Sequence, residues 1–304
     1  MKKSFIYPKN KTEHSGEVID SKDGFDVIEC LACFFKHVIP IPSHEELEEF
    51  YGREFYSHVK PKYFAHYEED LDWWMATYRN HYELLAKHTK GRRLLDIGSG
   101  PGHFLKCGKE LGWEVLGFEP SKDAAEYSRK LGVEVVNDFF SKESIKKYGK
   151  FDVIYMKTVI EHLPDPKELL QMAKDSLAPG GLLCVISPNE YNPLQNILRK
   201  NLNYNPWWVA PPQHINYFNS ESITNLLTKL DFKVVESLGN FPMEIFLLSG
   251  HNYIGNEKVG RECQANRKLF EQNMYKYGND YLNSVYSYFA KIGIGREFIV
   301  IAKI

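Results

Sequence analysis

The stretch from Leu94 to Phe104, LLDIGSGPGHF, admits few folds. Two leucines lead to an acid, Asp96, after which glycines stand at alternate positions, Gly98, Gly100 and Gly102, before a helical pattern begins. The order is strand, tight loop, helix. Glycine loses more backbone entropy on folding than any other residue, so this density makes sense where the chain needs positive φ or where a ligand must come closer than a Cβ allows. A ligand-binding turn is the reading that explains all three.

The details of the turn narrow the ligand. A dinucleotide fingerprint would need glycine at 98, 100 and 103, but position 103 is His103, and the Gly-Lys-Ser/Thr ending of a phosphate loop is absent as well. Asp96 sets a negative charge just before the loop, which suits a cationic group and repels pyrophosphate. Glu119, at the end of the next apolar run, takes the place of the acid that accepts from ribose hydroxyls ~20 residues after such a loop. A nucleoside with an ammonium and no phosphate satisfies both acids.

Around the turn, apolar runs and amphipathic stretches alternate. Residues 68–88 repeat Leu71, Trp74, Met75, Tyr78, Tyr82 and Leu85 at helical spacing, a helix that packs on a sheet or covers the site. Strands are expected at 113–118, 133–136, 151–156, 182–188 and 232–238, and a last one at 297–304. Helices are expected at 103–111 and 122–131, after Asp165 as N-cap with Pro166 at N1, and at 220–230. Continuous apolar strands alternating with helices describe a parallel sheet covered on both faces. Residues 257–291 read as one or two helices inserted before the last strand, and the Pro-, Asn- and aromatic-rich stretch 203–219 as a loop or lid beyond the strand ends.

LLDIGSGPGHF, GFEPS, the Asp138-Phe139 step, FDVIYMKTVIEHLPDP and LAPGGLLCVISPN resemble, in order and spacing, the successive motifs of class I S-adenosylmethionine-dependent methyltransferases. The resemblance covers about residues 90–240. It implies an α/β, Rossmann-like, seven-stranded and mostly parallel sheet with EFIVIAKI as an antiparallel last strand. It also implies a cofactor, S-adenosyl-L-methionine, and roles for single residues. Gly98, Ser99, Gly100 and Gly102 line its methionyl part, Asp96 lies near the ammonium, Glu119 with Pro120 holds the ribose, Asp138 and Phe139 meet the adenine, and Lys157 lies beside the methionine tail.

The N-terminal part, 1–67, reads as a small lobe offering lid and acceptor contacts to the cofactor domain, 68–304. Ser43 and Glu46 form a capping box that opens a helix with Leu47, Phe50 and Tyr51 on one face, and Tyr51, Tyr56, Tyr63 and Tyr67 are dense enough for one or two to face the ligand. Its segment CLACFFKHVIPIPSHEELEEFYGREFY resembles bacterial methyltransferases that act on sugars or related small metabolites and accompany surface-polysaccharide genes. PPQHINYFNSES resembles their acceptor-pocket segment. Many of those relatives hold zinc on two CxxC pairs followed by Cys-Gly. Here Cys30, Cys33 and His37 have ligand-like spacing and His14 is a further donor, but only one pair is present and Phe34 replaces the glycine. No metal is carried over, and the cysteines are expected to be small buried groups.

Methyl transfer is an in-line displacement that asks the protein to align the acceptor, exclude water and remove a proton where one must leave. His162 and His214 fall on the expected ligand side as candidate bases, and Tyr217 is a candidate to orient the acceptor. A structural Glu161–His162 pair is the competing reading. A phosphorylated acceptor would need basic residues, for which Arg199, Lys200 and Arg261 are candidates. The expected product is a methylated small polar metabolite, a sugar, sugar-linked group or amine; a phosphobase such as phosphoethanolamine and a catalytically silent cofactor-binding protein are the alternatives. A net charge of −2 with scattered Lys and Arg gives no footprint for nucleic acid or an anionic membrane. Five cysteines, an odd number that forms no disulfide framework, and no apolar run of signal or membrane-span length set the expected location as cytoplasmic.

Overall fold

A computed structural model describes residues 1–43, 46 and 67–304. Most of the described chain is one mixed sheet with helices on both faces. Its strands are β5 (Arg93–Ile97), β6 (Glu114–Phe118), β7 (Glu134–Val136), β8 (Phe151–Lys157), β9 (Leu177–Pro188), β11 (Lys233–Gly239) and β12 (Glu297–Lys303). They lie in the order β11-β12-β9-β8-β5-β6-β7, seven in all, with β12 antiparallel to both neighbours and β5 through β9 parallel. The expected sheet is the observed one.

Alternation along the strands builds two cores. Leu95, Ile97, Ile154, Met156, Leu183 and Val185 face one way, where they meet Leu169, Leu170 and Ala173 of a helix at Pro166–Ser176 and Ile223, Leu226 and Leu227 of another at Ser220–Lys229. Leu94, Val153, Tyr155, Leu182, Cys184 and Ile186 face the other way. There they meet α1 (Leu71–His88) through Tyr82, Leu84 and Leu85, α2 (His103–Glu110) through Phe104 and Leu105, and the helix Asn279–Lys291 through Leu282 and Tyr286. A run such as Leu94-Leu95 is thus buried on both sides, as period-2 geometry requires of a covered sheet.

The insertion is two helices, Glu257–Tyr277 and Asn279–Lys291, separated at Gly278. It is tied to α1 by Asn80 and Asn283, whose buried amides exchange hydrogen bonds of 2.9 and 2.8 Å, and by the Trp73 indole donating to Glu271 at 2.6 Å. Among the described residues no helix is long and apolar enough to cross a membrane.

A second, antiparallel sheet was legible only in part. β3 (Phe25–Cys30) and β4 (Lys36–Ile39) come from the apolar stretch GFDVIECLACFFKHVIP, but β1 (Lys2–Ile6) and β2 (Glu13–Lys22) join them, and β10 (Asn216–Tyr217) closes the order β1-β2-β3-β4-β10. β1 is an edge strand and almost wholly exposed, and the buried residues of β2 are His14 and Gly16, so the usual apolar alternation is missing. Because β10 follows the main sheet's fifth parallel strand in the chain, the stretch expected as a loop is stitched to the N-terminal sheet. The same stretch begins after an unexpected helix, Pro193–Leu202, capped by Asn192.

Ser43 and Glu46 form the expected capping box, the backbone N–H of Ser43 donating to Glu46 at 2.7 Å and that of Glu46 to Ser43 at 3.2 Å. The expected apolar face of that helix, Leu47, Phe50 and Tyr51, and Tyr56 and Tyr63 lie outside the described residues.

Candidate functional site

In an open parallel sheet ligands bind beyond the carboxyl ends of the strands, at the point where strand order reverses. Here that point lies between β5 and β8, because the chain runs from β5 outward to β6 and β7 and then returns to β8 on the other side. The glycine loop leaves β5 at this point. Gly98, Gly100 and Gly102 have φ of 72°, 52° and 77°, the left-handed region that L side chains avoid. The backbone N–H groups of Gly98 and Ser99 donate to the Phe118 carbonyl at 2.8 and 3.1 Å, folding the loop over the end of β6. A Cβ at Gly98 would lie 2.6 Å from the Val159 side chain, so the loop and the segment after β8 touch.

The two predicted acids meet under this loop. Asp96 is 3% exposed and Glu119 5%. Glu119 accepts from the backbone N–H of Gly100 and of Ser121, each at 2.8 Å, which clamps the loop to the end of β6 and leaves further lone pairs for a ligand. Burial pushes Glu119 up to about 7, against the pull of those two N–H groups. Burial, with the neighbouring Glu119 carboxylate, pushes Asp96 well above the ordinary carboxylate range. Two buried acids with no cation among their described partners make a site that would gain from a positively charged ligand.

A cavity of ≈ 470 Å³ opens from the loop, a volume typical of small-molecule sites. Of the residues singled out in the sequence, Asp96, Gly98, Ser99, Gly100, Glu119, Pro120, Phe139, Lys157, His162 and His214 line it. Three others stand apart. Gly102 caps α2, and a Cβ there would meet Ser128 Oγ at 2.6 Å, so its glycine serves helix packing rather than a ligand. Asp138 is exposed and accepts from the backbone N–H of Phe139 at 2.8 Å, leaving Phe139 and Phe140 to form the wall. Tyr217 is 2% exposed and its hydroxyl donates to the His214 carbonyl at 3.1 Å and accepts from the Ala210 N–H at 3.2 Å; it holds the His214 loop in place without lining the cavity.

Several wall residues were not singled out as site residues. α1 contributes Trp74 and Tyr78, and Tyr67, the described member of the tyrosine-rich segment, stacks on Trp74 at 5.2 Å and on His103 at 4.9 Å. Lys157 ends β8 with its ammonium paired to Glu297, the first residue of β12, and 5.6 Å from the Trp74 ring centre. Burial raises Glu297, but Lys157, Arg267 and Arg296 outweigh it and hold that carboxylate down at about 2. The Lys157 charge is thereby largely neutralised.

The two histidines also line the cavity, their ring centres 5.1 Å apart. His162 sits on a single helical turn, Ile160–His162, just after β8. Its Nδ1 donates to the Gln213 carbonyl at 2.7 Å, which leaves Nε2 as the acceptor of the neutral ring, 3.7 Å from Glu161 Oε1. Glu161 is buried, accepts from Ser187 Oγ at 2.9 Å, and is pushed by burial up to about 7. Asn216 of β10 donates to the Ile160 and Leu163 carbonyls at 3.0 and 2.7 Å, so the histidine turn is anchored on the second sheet.

Comparison with known proteins matches this site to a family. A family model described as a methyltransferase domain matches residues 63–237, more than half of the chain. The chain belongs to the S-adenosylmethionine-dependent methyltransferases. This methyltransferase is 33% identical over 131 residues to a ubiquinone biosynthesis O-methyltransferase of Caulobacter sp. (strain K31), covering 41% of the chain and 52% of the relative. It is 26% identical over 152 residues to the C-methyltransferase NovU of Streptomyces niveus, covering 49% of the chain and 34% of that protein. The chain thus spans about half the length of the first relative and about a third of the second. A solved S-adenosylmethionine-dependent methyltransferase from Archaeoglobus fulgidus superposes with a TM-score of 0.51 at 22% identity, over 80% of this chain and 99% of the other, a likeness of fold.

The methyltransferase's cofactor, S-adenosyl-L-methionine, is a nucleoside carrying an ammonium and a sulfonium, and the unneutralised acids Asp96 and Glu119 fit such a cation. A ribose donating to Glu119, the role the motif resemblance implies, would favour its ionised form, so cofactor affinity is expected to fall on acidification. With Glu119 titrating at about 7, its ionised share drops roughly tenfold between pH 8 and pH 6. The dissociation constant of S-adenosylhomocysteine is expected to rise by up to about tenfold over that interval, with proton release on binding visible as a dependence of the titration heat on buffer ionisation. An affinity independent of pH would mean that Glu119 is already fully ionised or untouched by the ligand.

Proposed function

We propose that this methyltransferase moves the methyl group of S-adenosylmethionine to a hydroxyl or amine of a small sugar or sugar-like metabolite. The observation that carries the reading is the single cavity joining the glycine loop and its two acids to the His162–His214 pair. The bound cofactor supplies a methyl carbon activated by a sulfonium. The chain's own residues do the rest. The Gly98–Gly100 backbone, Asp96 and Glu119 hold and orient the cofactor, while Tyr67, Trp74 and Tyr78 cover it and exclude water. His162 Nε2 takes the proton that leaves the acceptor, with Nδ1–H fixed on Gln213 and the Glu161 carboxyl at hand to steady the imidazolium. The names of the relatives, an O- and a C-methyltransferase, support a small organic acceptor without choosing its atom.

A phosphobase acceptor finds less support among the described residues. Arg199 is spent on Asp20, donating at 2.8 Å, Lys200 is exposed on the same helix, and Arg261 pairs with Glu257 on the insertion. None of them lines the cavity, and the Lys157 ammonium is neutralised. A screen with radiolabelled S-adenosylmethionine against free and nucleotide-linked sugars, amino sugars and phosphoethanolamine tests the choice. Label in a sugar or amino sugar is the expected result, and label in phosphoethanolamine alone would reject it.

A further inference from the structure

The second sheet holds a cluster that methyl transfer does not use. His14 comes from β2, Cys30 from the end of β3, Cys33 from the turn that follows, and His37 from β4. All four are buried, and one donor atom from each lies within 4.8 Å of every other. The cysteines are buried, as expected, and His14, sixteen residues before Cys30, is brought beside them by the pairing of Gly16 with Cys30 across β2 and β3. We propose that His14, Cys30, Cys33 and His37 form a tetrahedral binding site for zinc.

The donor spacing is that of a tetrahedron. Bonds of about 2.05 Å to nitrogen and about 2.3 Å to sulfur give edges of about 3.3 Å between nitrogens and about 3.6 Å between nitrogen and sulfur. The observed edges are 3.2 Å from His14 Nδ1 to His37 Nε2, 3.4 Å from His14 Nδ1 to Cys33 Sγ and 3.8 Å from His14 Nδ1 to Cys30 Sγ. Hydrogen bonds alone do not account for this convergence. His14 Nδ1 carries at most one proton, yet three donor or acceptor atoms crowd it, while its Nε2 is buried with no partner. His37 is oriented for coordination, since Nδ1–H donates to the Val38 carbonyl at 2.9 Å and Nε2 therefore turns a lone pair toward the other three atoms.

The turn between the cysteines is held in an uncommon form. Phe34 follows Cys33 with φ of 66°, a conformation costly for a bulky residue, its N–H donating to the Cys30 carbonyl at 2.9 Å. A bond from both sulfurs to one ion would fix that turn. Four protein ligands leave no open position, so the ion is structural. Its place explains what it would stabilise: His37 pairs in register with Asn216, the residue that anchors the His162 turn. A small cavity of ≈ 80 Å³ beside His14, Cys33 and His37 gives the ion a way in.

Metal analysis of the full chain purified without chelator tests the site, with cobalt(II) as spectroscopic probe. The expected result is about one zinc per chain, displaced by cobalt(II) to give the intense visible bands and thiolate charge transfer of a four-coordinate sulfur–nitrogen site. Cys33→Ser should lower zinc below about a tenth per chain, and His14→Cys should retain zinc while shifting the cobalt bands. Should Cys33→Ser not fold, the cobalt titration of the unaltered chain still decides. A folded chain that takes up no zinc when it is added, gives no thiolate charge transfer with cobalt(II) and has both thiols equally reactive with and without zinc would overturn the proposal.

Discussion

His162→Ala is expected to lower kcat about 10²- to 10³-fold, the usual worth of a positioned general base, while changing the affinity for S-adenosylhomocysteine by no more than about twofold. The split follows from where the residue sits. His162 lines the cavity from the turn after β8, whereas Asp96 belongs to β5 and Glu119 follows β6, and its Nδ1–H, fixed on Gln213, leaves Nε2 to act as acceptor. A base is used only as the proton leaves, so its loss appears in kcat. A structural histidine behaves differently. It would lower the melting temperature and cofactor affinity together, and the pH dependence of the residual rate would keep its wild-type shape. If His162→Ala keeps kcat within about threefold, the proton leaves by another route.

Glu119→Ala is expected to weaken S-adenosylhomocysteine binding about 100-fold or more. The carboxylate bridges the Gly100 and Ser121 N–H groups and is the acid beneath the loop with lone pairs left for ribose hydroxyls. Hydrogen bonds to a charged group are worth about 1.5–3 kcal/mol each, and two lost to the ligand give about 3 kcal/mol, or two decades in affinity. The substitution also removes a buried carboxyl that burial pushes up to about 7. Between the ordinary carboxyl range and that value the folded protein binds more protons than the unfolded chain, so wild-type stability from this group falls as pH rises. The variant should therefore lose affinity without a matching loss of stability at pH 8, which denaturant titration would show.

Much of this site could be read from the chain because it is local. Asp96, the glycines and Glu119 are placed by two short strands and the turns that follow them, and nearest-neighbour chemistry fixes both. The His162 turn follows β8 in the same way. What the sequence hid depends on contacts between distant segments. Glu297 reaches the cavity only because β12 inserts between β9 and β11, and Trp74 and Tyr78 because α1 packs on α2 through Tyr78, Tyr82 and Phe104. The place of Tyr217 in HINYF suggests a residue that orients the acceptor, yet its ring is drawn into the core of the second sheet, since β10 pairs with β4. Gly102 and Asp138 illustrate the limit of carrying roles by motif: one is needed for α2 to pass Ser128, and the other faces solvent beside the wall that Phe139 and Phe140 build. β1 and β2 carry no apolar period, because β1 is an exposed edge strand and the buried positions of β2 hold His14 and Gly16.

The account rests on the cavity beneath the glycine loop being the cofactor site, and isothermal titration of S-adenosylhomocysteine into the unaltered chain and Glu119→Ala at pH 8 tests that directly. The expected result is saturable binding with about one site per chain, weakened about 100-fold or beyond detection in the variant. Binding of equal strength in both proteins, or no binding to the unaltered chain, would contradict it.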